Sequence, residues 1–484
     1  MPQLQDIIYK VAIQEVQGQT GVEVKNITFD SRAVEAGTAF VAIRGTQTDG
    51  HQYISQAVEA GAVAVVCEEL PSEIRPEVTY VLVKDTSEAL GFMAANFYDN
   101  PSEKLRLVGI TGTNGKTSTV TLLYRLFEKL GYKCGLLSTV QNLIHDKVHP
   151  ATHTTPDPLR LNSMLAQMAD AGCEFCFMEV SSHGIAQKRT AGLVFEGAVF
   201  TNLSHDHLDY HGSMKAYLAA KAMLFDRVLP PGGAAVLNAD DPLVAAMASR
   251  TSARKLTFGE SAGSDVRLEN LELDELGRPR FDLVTAEGSA HVELTLLGEH
   301  QAHNAAATAA VAVAVGMSLD EAAAALSEAR PASRWRMEVN ERADGVLVIN
   351  DAYNANPDSM KAALKTLAAL GRGRGPDTRT IAVLGEMREL GESSREEHDA
   401  VGRLAVRLDI AQLVVVGEGA RPIHLGACLE GSWAEESVFV PDVDAATSWL
   451  REHVRPGDVV LVKASRAAAL ERVAAALLEE DNGR

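Results

Sequence analysis

The chain is poor in cysteine and in aromatic side chains, carries no excess of positive charge, and has no long apolar run. Its five cysteines, at 67, 134, 173, 176 and 428, are odd in number and scattered, which excludes a disulfide framework. Cys173-x-x-Cys176 lacks a second ligand pair, so buried free thiols in a reducing cytoplasm are expected rather than zinc. A net charge of −20 argues against a general nucleic-acid or anionic-membrane binder, while leaving room for local phosphate pockets. No apolar run approaches the roughly 20 residues that a membrane-spanning helix needs, so no membrane insertion is expected. Residues Met1 to Asp6 show neither a basic segment nor an apolar one after it, so no secretory signal is read. What remains is a chain with 46% apolar residues, ordinary for a globular protein, and with the length of about three domains.

One more absence is local. The run Val108-Gly109-Ile110-Thr111-Gly112-Thr113-Asn114-Gly115-Lys116-Thr117-Ser118 lies between a strand-like segment, Leu105–Ile110, and a helical pattern, Thr119–Leu130. A strand, a glycine-bearing turn and a helix N-terminus make a phosphate cradle, in which backbone N–H groups and the helix dipole meet the anion. Lys116 supplies a mobile positive charge and Thr117 a hydroxyl able to ligate magnesium. The strict P-loop spacing asks for glycine at position 110, where isoleucine stands, so the loop is a variant.

Residues 1–100 mix short β-like runs (Thr38–Ile43, Ala62–Cys67, Tyr80–Val83) with helical patterns, and close at Asp99-Asn100-Pro101-Ser102. Strands and helices then alternate: Leu105–Ile110, Phe175–Val180, Ala198–Leu203, a helix around Met214–Asp226, and a helix Ala302–Val315. After Arg330-Pro331 a second series has strands at Val346–Ile349, Ile381–Leu384, Leu413–Val416 and Val459–Val462, with helices such as Met360–Leu370 and Ala467–Leu478. This is an α/β pattern with largely parallel sheets covered by helices. Three domains are expected, at 1–102, 103–330 and 331–484.

A compositional break cuts across these domains. Before residue 229 there are 11 lysines and 8 arginines; from 229 onward there are 4 lysines and 22 arginines. The break falls inside the central domain, where one compositional style is expected, and it reads as a junction between two sequence origins.

Further candidates follow the strands. Glu179-Val180-Ser181-Ser182-His183 places a carboxylate at a strand's C-terminal end, where α/β sheets bind ligands. Asn202 to His211 is dense in histidine and aspartate; beside a phosphate loop, hard carboxylates favour magnesium over zinc. Lys221 sits among apolar neighbours, and for a lone lysine a snorkelling surface side chain is the usual reading. Asp30-Ser31-Arg32 and Asn354-Ala355-Asn356-Pro357, each taken alone, are capped turns.

Together these motifs resemble the Mur ligases, the ATP-dependent amide-forming enzymes of peptidoglycan synthesis. The resemblance rests on Thr111 to Thr117, Glu179 to His183, Asp206-His-Leu-Asp209, Tyr217-x-x-x-Lys221, His300-x-x-His303-Asn304-x-x-Ala307 and Asp351. It implies three domains: a UDP-substrate domain, a central P-loop-type ATP domain with a mostly parallel sheet, and a Rossmann-like C-terminal amine-substrate domain. It implies transfer of phosphate from ATP to a substrate carboxylate, followed by attack of an amine on the acyl phosphate. Gly112, Thr113, Asn114, Gly115, Lys116, Thr117 and Ser118 would hold the nucleotide with Asn304, Arg336 and Asp351. Thr117 matches a ligand of a first magnesium, Glu179 and His207 match ligands of a second, and Lys221 matches a lysine that is carbamylated in the family.

The two halves resemble different members. Residues 1–228 resemble the MurE type, which adds diaminopimelate or lysine to UDP-N-acetylmuramoyl-L-alanyl-D-glutamate. The matching positions include Ser31, Arg32, Thr46, Gln47, His51, Thr154, Thr155, Ser182, Gln187 and Arg189, which in the family bind the UDP-muramoyl-dipeptide. Residues from 229 onward resemble the D-alanyl-D-alanine-adding MurF type in Val236 to Pro242, Asn350 to Pro357 with Asn354 and Asn356, Val383 to Gly391, and Leu461 to Arg466. The Asp-Asn-Pro-Arg and Gly-Lys-Gly-His-Glu motifs of the diaminopimelate or lysine adder are missing. The resemblance therefore implies a cytoplasmic, monomeric chimera that takes the dipeptide substrate of one member and the amine of the other. The alternatives are the reaction of either parent, or a catalytically silent scaffold that binds ATP and the UDP-sugar peptide. A P-loop kinase reading leaves Lys221 and the uridine-site motifs unexplained.

Overall fold

In a computed structural model all residues are described except 46–47, 152, 331–334, 432–435 and 480–484. Three sheets follow one another along the chain. The first has the strand order Ile13–Gln17, Thr79–Val83, Ala64–Cys67, Thr38–Val41, Asn26–Thr28, parallel except for the first pair. The second has eleven strands. At its centre Arg106–Thr111 runs parallel to Phe175–Glu179 on one side and to Gly197–Phe200 on the other. The third has six strands, with Val459–Lys463 between Leu347–Asp351 and Thr380–Leu384, and only Glu338–Glu341 antiparallel. The three-part α/β architecture expected from the sequence is present.

Two differences are informative. The central sheet is less parallel than its strand–helix alternation suggests. A hairpin, Asn142–Ile144 and Lys147–His149, closes one edge, and a meander, Val266–Leu273, Pro279–Thr285 and Gly288–Glu293, extends the other. The helix expected over Met214–Asp226 ends at Met223 and widens into a π-turn, Leu224–Val228, immediately before the compositional break. Likewise the last helix begins at Glu471 rather than Ala467, after a short 3-10 turn at Arg466–Ala468.

The break does not interrupt the packing. Gly197–Phe200 pairs in parallel with Ala234–Asn238, setting Val199 beside Val236. The phosphate-loop helix Lys116–Lys129 shares one buried core with the alanine-rich helix His300–Ala314. Val120, Leu123 and Phe127 lie on the first, and Ala302, Ala306 and Ala310 on the second. Side chains this small let the two helices approach closely, which brings Asn304 up to the loop glycine Gly115. Phe127 also packs on Phe175 and Phe177, with ring centroids 4.5 and 4.9 Å away. Cys67, Cys134, Cys173 and Cys176 are buried free thiols, and burial pushes the Cys67 thiol up to about 11.

Candidate active site

The central strands present their C-terminal ends on one edge of the sheet, where loops can converge on a ligand. Arg106–Thr111 leads into the glycine loop, and the helix starts at Lys116 behind Gly115, which has φ +88°. Gly112 has φ +149°, and a β-carbon there would run into the Thr201 hydroxyl, so both conformation and space require glycine. The loop is held from outside. Asn202 Oδ1 accepts from the Asn114 N–H at 2.9 Å, and Thr201 Oγ1 donates to the Asn114 carbonyl at 2.6 Å.

Two lysines share this loop. Lys116 Nζ donates to the Gly112 and Thr113 carbonyls at 2.8 and 2.9 Å, and Lys221 Nζ donates to the same Gly112 carbonyl at 2.7 Å. Lys221 is 1% exposed, with its amine 4.4 Å from the Tyr217 ring centroid, so the snorkelling reading is replaced by a buried one. Burial, and then the charge of Lys116, drive the Lys221 amine well below the ordinary lysine range. Burial also lowers Lys116, against the pull of Glu179 and Asp206.

Glu179, at the end of its strand, is almost fully buried and is met by three hydrogen bonds. Thr117 Oγ1 donates to it at 2.9 Å, the Thr139 N–H at 2.8 Å and Thr139 Oγ1 at 2.9 Å. Thr154 stands beyond Thr139 at 3.3 Å, and the Thr155 hydroxyl donates to the Glu179 carbonyl at 3.1 Å. Asp206 is buried, whereas His207 is partly exposed and its Nδ1 meets the Glu389 carboxylate. That contact, above all, holds Glu389 below its ordinary value. Asp206, His207 and Glu389 each bring a ligand atom within 4.8 Å of the others.

A cavity of about 640 Å³ adjoins the loop, lined among others by Ser118, Asn304, Arg336, Asp351 and Lys463. Arg336 lies over the Tyr353 ring at 4.4 Å, and its buried Nε has no partner among the described residues. Asp351 accepts from Lys463 Nζ at 2.6 Å and from the Met337 N–H at 3.1 Å. His300 is on the same wall, and burial pushes its imidazole from 6.5 down to about 4. An unfolded chain therefore takes up a proton below about pH 6.5 that the folded chain refuses until about pH 4. Stability should fall as pH drops through that window. Replacing His300 by glutamine should flatten the loss, read as the difference in unfolding temperature between about pH 7 and about pH 4.5. An unchanged difference would show that other groups carry the acid sensitivity.

A second cavity, of about 850 Å³, is lined by Ser31, Arg32, Tyr53, Asp157, Gln187 and Arg189 among others. Arg189 donates to the Thr155 carbonyl and to Gln187 Oε1, each at 2.6 Å. Asp30 caps its turn and pairs with Arg32, as the turn reading expects, yet that turn also forms a wall of the cavity. His51 lies nearby, held by Asp49 at 2.7 Å and by the Glu68 N–H at 2.8 Å. The Ser182 hydroxyl is buried and has no partner among the described residues. Thr46 and Gln47 lie outside the described residues.

Asn356 caps the helix Pro357–Arg374 through the Ser359 N–H, so its turn reading also holds. Its Nδ2 donates to Asn114 Oδ1 at 2.9 Å and to Asp206 Oδ2 at 3.1 Å, tying the third sheet's loops to the phosphate loop. The Asn354 carbonyl accepts from Lys463 at 2.9 Å.

Three family descriptions match the chain: "Mur ligase family, catalytic domain" over 23–98, "Mur ligase middle domain" over 110–312, and "Mur ligase, glutamate ligase domain" over 335–466. A UDP-N-acetylmuramoyl-L-alanyl-D-glutamate--2,6-diaminopimelate ligase of Parabacteroides distasonis is 41% identical over 467 residues, covering 95% of this chain and 93% of that protein. The chain belongs to the Mur ligase family. It is thus an ATP-dependent, ADP-forming ligase of peptidoglycan synthesis. A UDP-N-acetylmuramoyl-tripeptide--D-alanyl-D-alanine ligase of Mycobacterium tuberculosis is 39% identical over 487 residues, covering 94% and 92% of the two chains. The crystal structure of MurF from Acinetobacter baumannii superimposes with a TM-score of 0.72 at 27% identity, covering 99% and 98%.

In this Mur ligase several site residues carried no role in the sequence reading. Thr139, Thr201 and Asn202 follow strand ends, a signal that the switch-point rule could have used. Lys463 and Glu389 sit in motifs that resembled the MurF type, without a role assigned to either. Among the described residues no helix is long and apolar enough to cross a membrane.

Proposed function

We propose that this Mur ligase joins D-alanyl-D-alanine to UDP-N-acetylmuramoyl-L-alanyl-D-glutamate, and that it is a chimera with its junction near residue 228. Residues 1–102, 103–330 and 331–484 are read as the UDP-substrate, ATP and amine domains. The supporting observation is which side of the junction supplies the larger cavity and the segment that reaches the phosphate loop, the smaller cavity being lined from both sides. Every residue lining the larger one lies before the junction, between Phe29 and Arg189. The segment Asn350 to Pro357, which reaches Asn114 and Asp206, lies after it.

Thr117 offers a hydroxyl to a first magnesium ion, and Glu179 and His207 offer a carboxylate and an imidazole to a second, each ion keeping several waters. When bound, these ions neutralise charge on the transferring phosphates. The loop's N–H groups and Lys116 hold the phosphates, and Arg336, whose Nε has no partner among the described residues, closes on them from the third sheet's side. Asn304 and Asp351 orient the nucleotide in the adjoining cavity. Arg189, Gln187 and Thr155 position the substrate carboxylate for phosphorylation. The neutral amine that burial favours at Lys221 is the form able to add carbon dioxide and, on releasing one N–H proton to water, become an anionic carbamate.

The parent substrates differ in length by one residue, so their reacting ends need not coincide here. A misplacement of about 1 Å costs on the order of a hundredfold, and turnover is accordingly slow. The test is ADP release across a grid of UDP-muramoyl dipeptide and tripeptide against diaminopimelate, lysine and D-alanyl-D-alanine. Release confined to dipeptide with D-alanyl-D-alanine supports the reading. Release confined to dipeptide with diaminopimelate or lysine overturns the amine assignment, and release only with tripeptide overturns the carboxylate assignment. Binding of ATP and UDP-peptide with no substrate-dependent release marks the silent scaffold.

A further inference from the structure

Three consecutive residues of the central unit each meet a different residue of the C-terminal unit. His205 Nε2 lies 3.3 Å from Ser393 Oγ, Asp206 accepts from Asn356 at 3.1 Å, and His207 Nδ1 meets the Glu389 carboxylate. The third contact stands apart in its backbone. His207 has φ +54° and Glu389 φ +65°, the left-handed region that side-chain-bearing residues seldom adopt. Such conformations persist where the surrounding structure imposes them, and they gather at functional sites. Stability does not explain the pair, because His207 is 25% exposed and Glu389 46%, and a pair so open to water adds little.

The imidazole is fixed on its other sides as well. His183 stands edge-on to it at 4.8 Å and Tyr217 at 6.0 Å between ring centroids. With a carboxylate at Nδ1, the ring proton belongs on Nδ1 and the lone pair on Nε2. Among the described residues, Nε2 has no hydrogen-bond partner. A carboxylate behind one ring nitrogen is the arrangement that fixes the tautomer of metal-binding histidines and raises their basicity.

We propose that Glu389 is a positioning residue for His207: by accepting the Nδ1 hydrogen bond it holds Nε2 ready for a divalent cation. Docking of the C-terminal unit thereby completes a metal centre whose other donors lie in the central unit. This rests on His207 being a metal ligand, as proposed above. Glu389 lies after the compositional break and His207 before it, so the two sequence origins meet in this contact.

The test is binding of the second Mn²⁺ ion, beyond the one the nucleotide carries, to the full chain with a non-hydrolysable ATP analogue, followed by electron paramagnetic resonance, for Glu389→Ala, Glu389→Gln and His207→Ala. Nitrogen-15 spectra of His207 in the metal-free protein report the tautomer. Glu389→Ala should weaken Mn²⁺ about tenfold to a hundredfold and let the ring populate both tautomers. Glu389→Gln, which keeps an acceptor oxygen, should fall between it and the unmodified chain. Unchanged or tighter Mn²⁺ binding in Glu389→Ala, with binding lost in His207→Ala, overturns the positioning role alone. Weakened binding with an unchanged tautomer also overturns it, because Glu389 would then be a direct ligand. Should Glu389→Ala fail to fold, Glu389→Gln decides by the same two readouts. If His207→Ala binds Mn²⁺ normally, the metal assignment itself fails.

Discussion

Replacing Lys116 by alanine is expected to cut substrate-dependent ADP release by about a thousandfold or more while leaving the fold intact. The cradle's backbone does not depend on that side chain, since Gly112 and Gly115 keep their conformations and Asn202 and Thr201 hold the loop from outside. What disappears is the one loop cation able to leave the Gly112 and Thr113 carbonyls and follow charge onto a transferring phosphoryl group. The variant loses two hydrogen bonds to carbonyls together with an ammonium that burial disfavours, so its unfolding temperature should change little. ADP release and thermal melting on the same samples check both statements. Activity within tenfold of the unmodified chain would place phosphoryl transfer elsewhere.

The second large effect is expected at Lys221. Its amine is buried, donates to the Gly112 carbonyl, and is pushed toward the neutral form by burial and by Lys116. Two ammonium groups on one carbonyl is an unfavourable arrangement; a carbamate beside the Lys116 ammonium is a favourable one. Lys221→Ala should therefore lose about a thousandfold in activity, and the unmodified chain should lose activity in carbon-dioxide-depleted buffer and regain it with bicarbonate. The measurement is ADP release in paired buffers. Indifference to bicarbonate, together with near-normal activity of Lys221→Ala, would leave the lysine a packing residue.

Much of this site could be read before any coordinates. The phosphate loop, Glu179 at a strand end and the histidine-rich segment after the next strand are local patterns whose chemistry follows from residue type. Less visible was the meander at 266–293. Val266 and Leu268 point inward, but Asn270 takes φ +52° and the pairing register shifts between Glu269 and Glu272. That bulge breaks the apolar–polar alternation by which a half-buried strand is recognised. The contacts of His205, Asp206 and His207 with Ser393, Asn356 and Glu389 were invisible for another reason. They join segments 150 to 188 residues apart across two folded units, and no local periodicity encodes such a meeting. Lys221 shows the limit of residue type, since a lone lysine is usually a surface side chain whereas packing puts this one under the loop.

The compositional break gains a physical meaning from the fold. It falls in the crossover between two paired strands of one sheet, after a π-turn, and the segments on either side share a single core. A ligase assembled from two members would draw Lys116, Glu179, His207 and Lys221 of its phosphate-transfer centre from before the break, and Asn304, Arg336, Asp351 and Glu389 from after it. Its choice of amine would come from the other side.

That account is tested most directly by isotope tracing. UDP-N-acetylmuramoyl-L-alanyl-D-glutamate carrying oxygen-18 in its D-glutamyl carboxylates is incubated with ATP, D-alanyl-D-alanine and the full chain, and both products are weighed by mass spectrometry. The account predicts the dipeptide substrate extended by D-alanyl-D-alanine, with one oxygen-18 passed to the released phosphate. Unlabelled phosphate, or extension only when diaminopimelate or lysine is supplied, would contradict it.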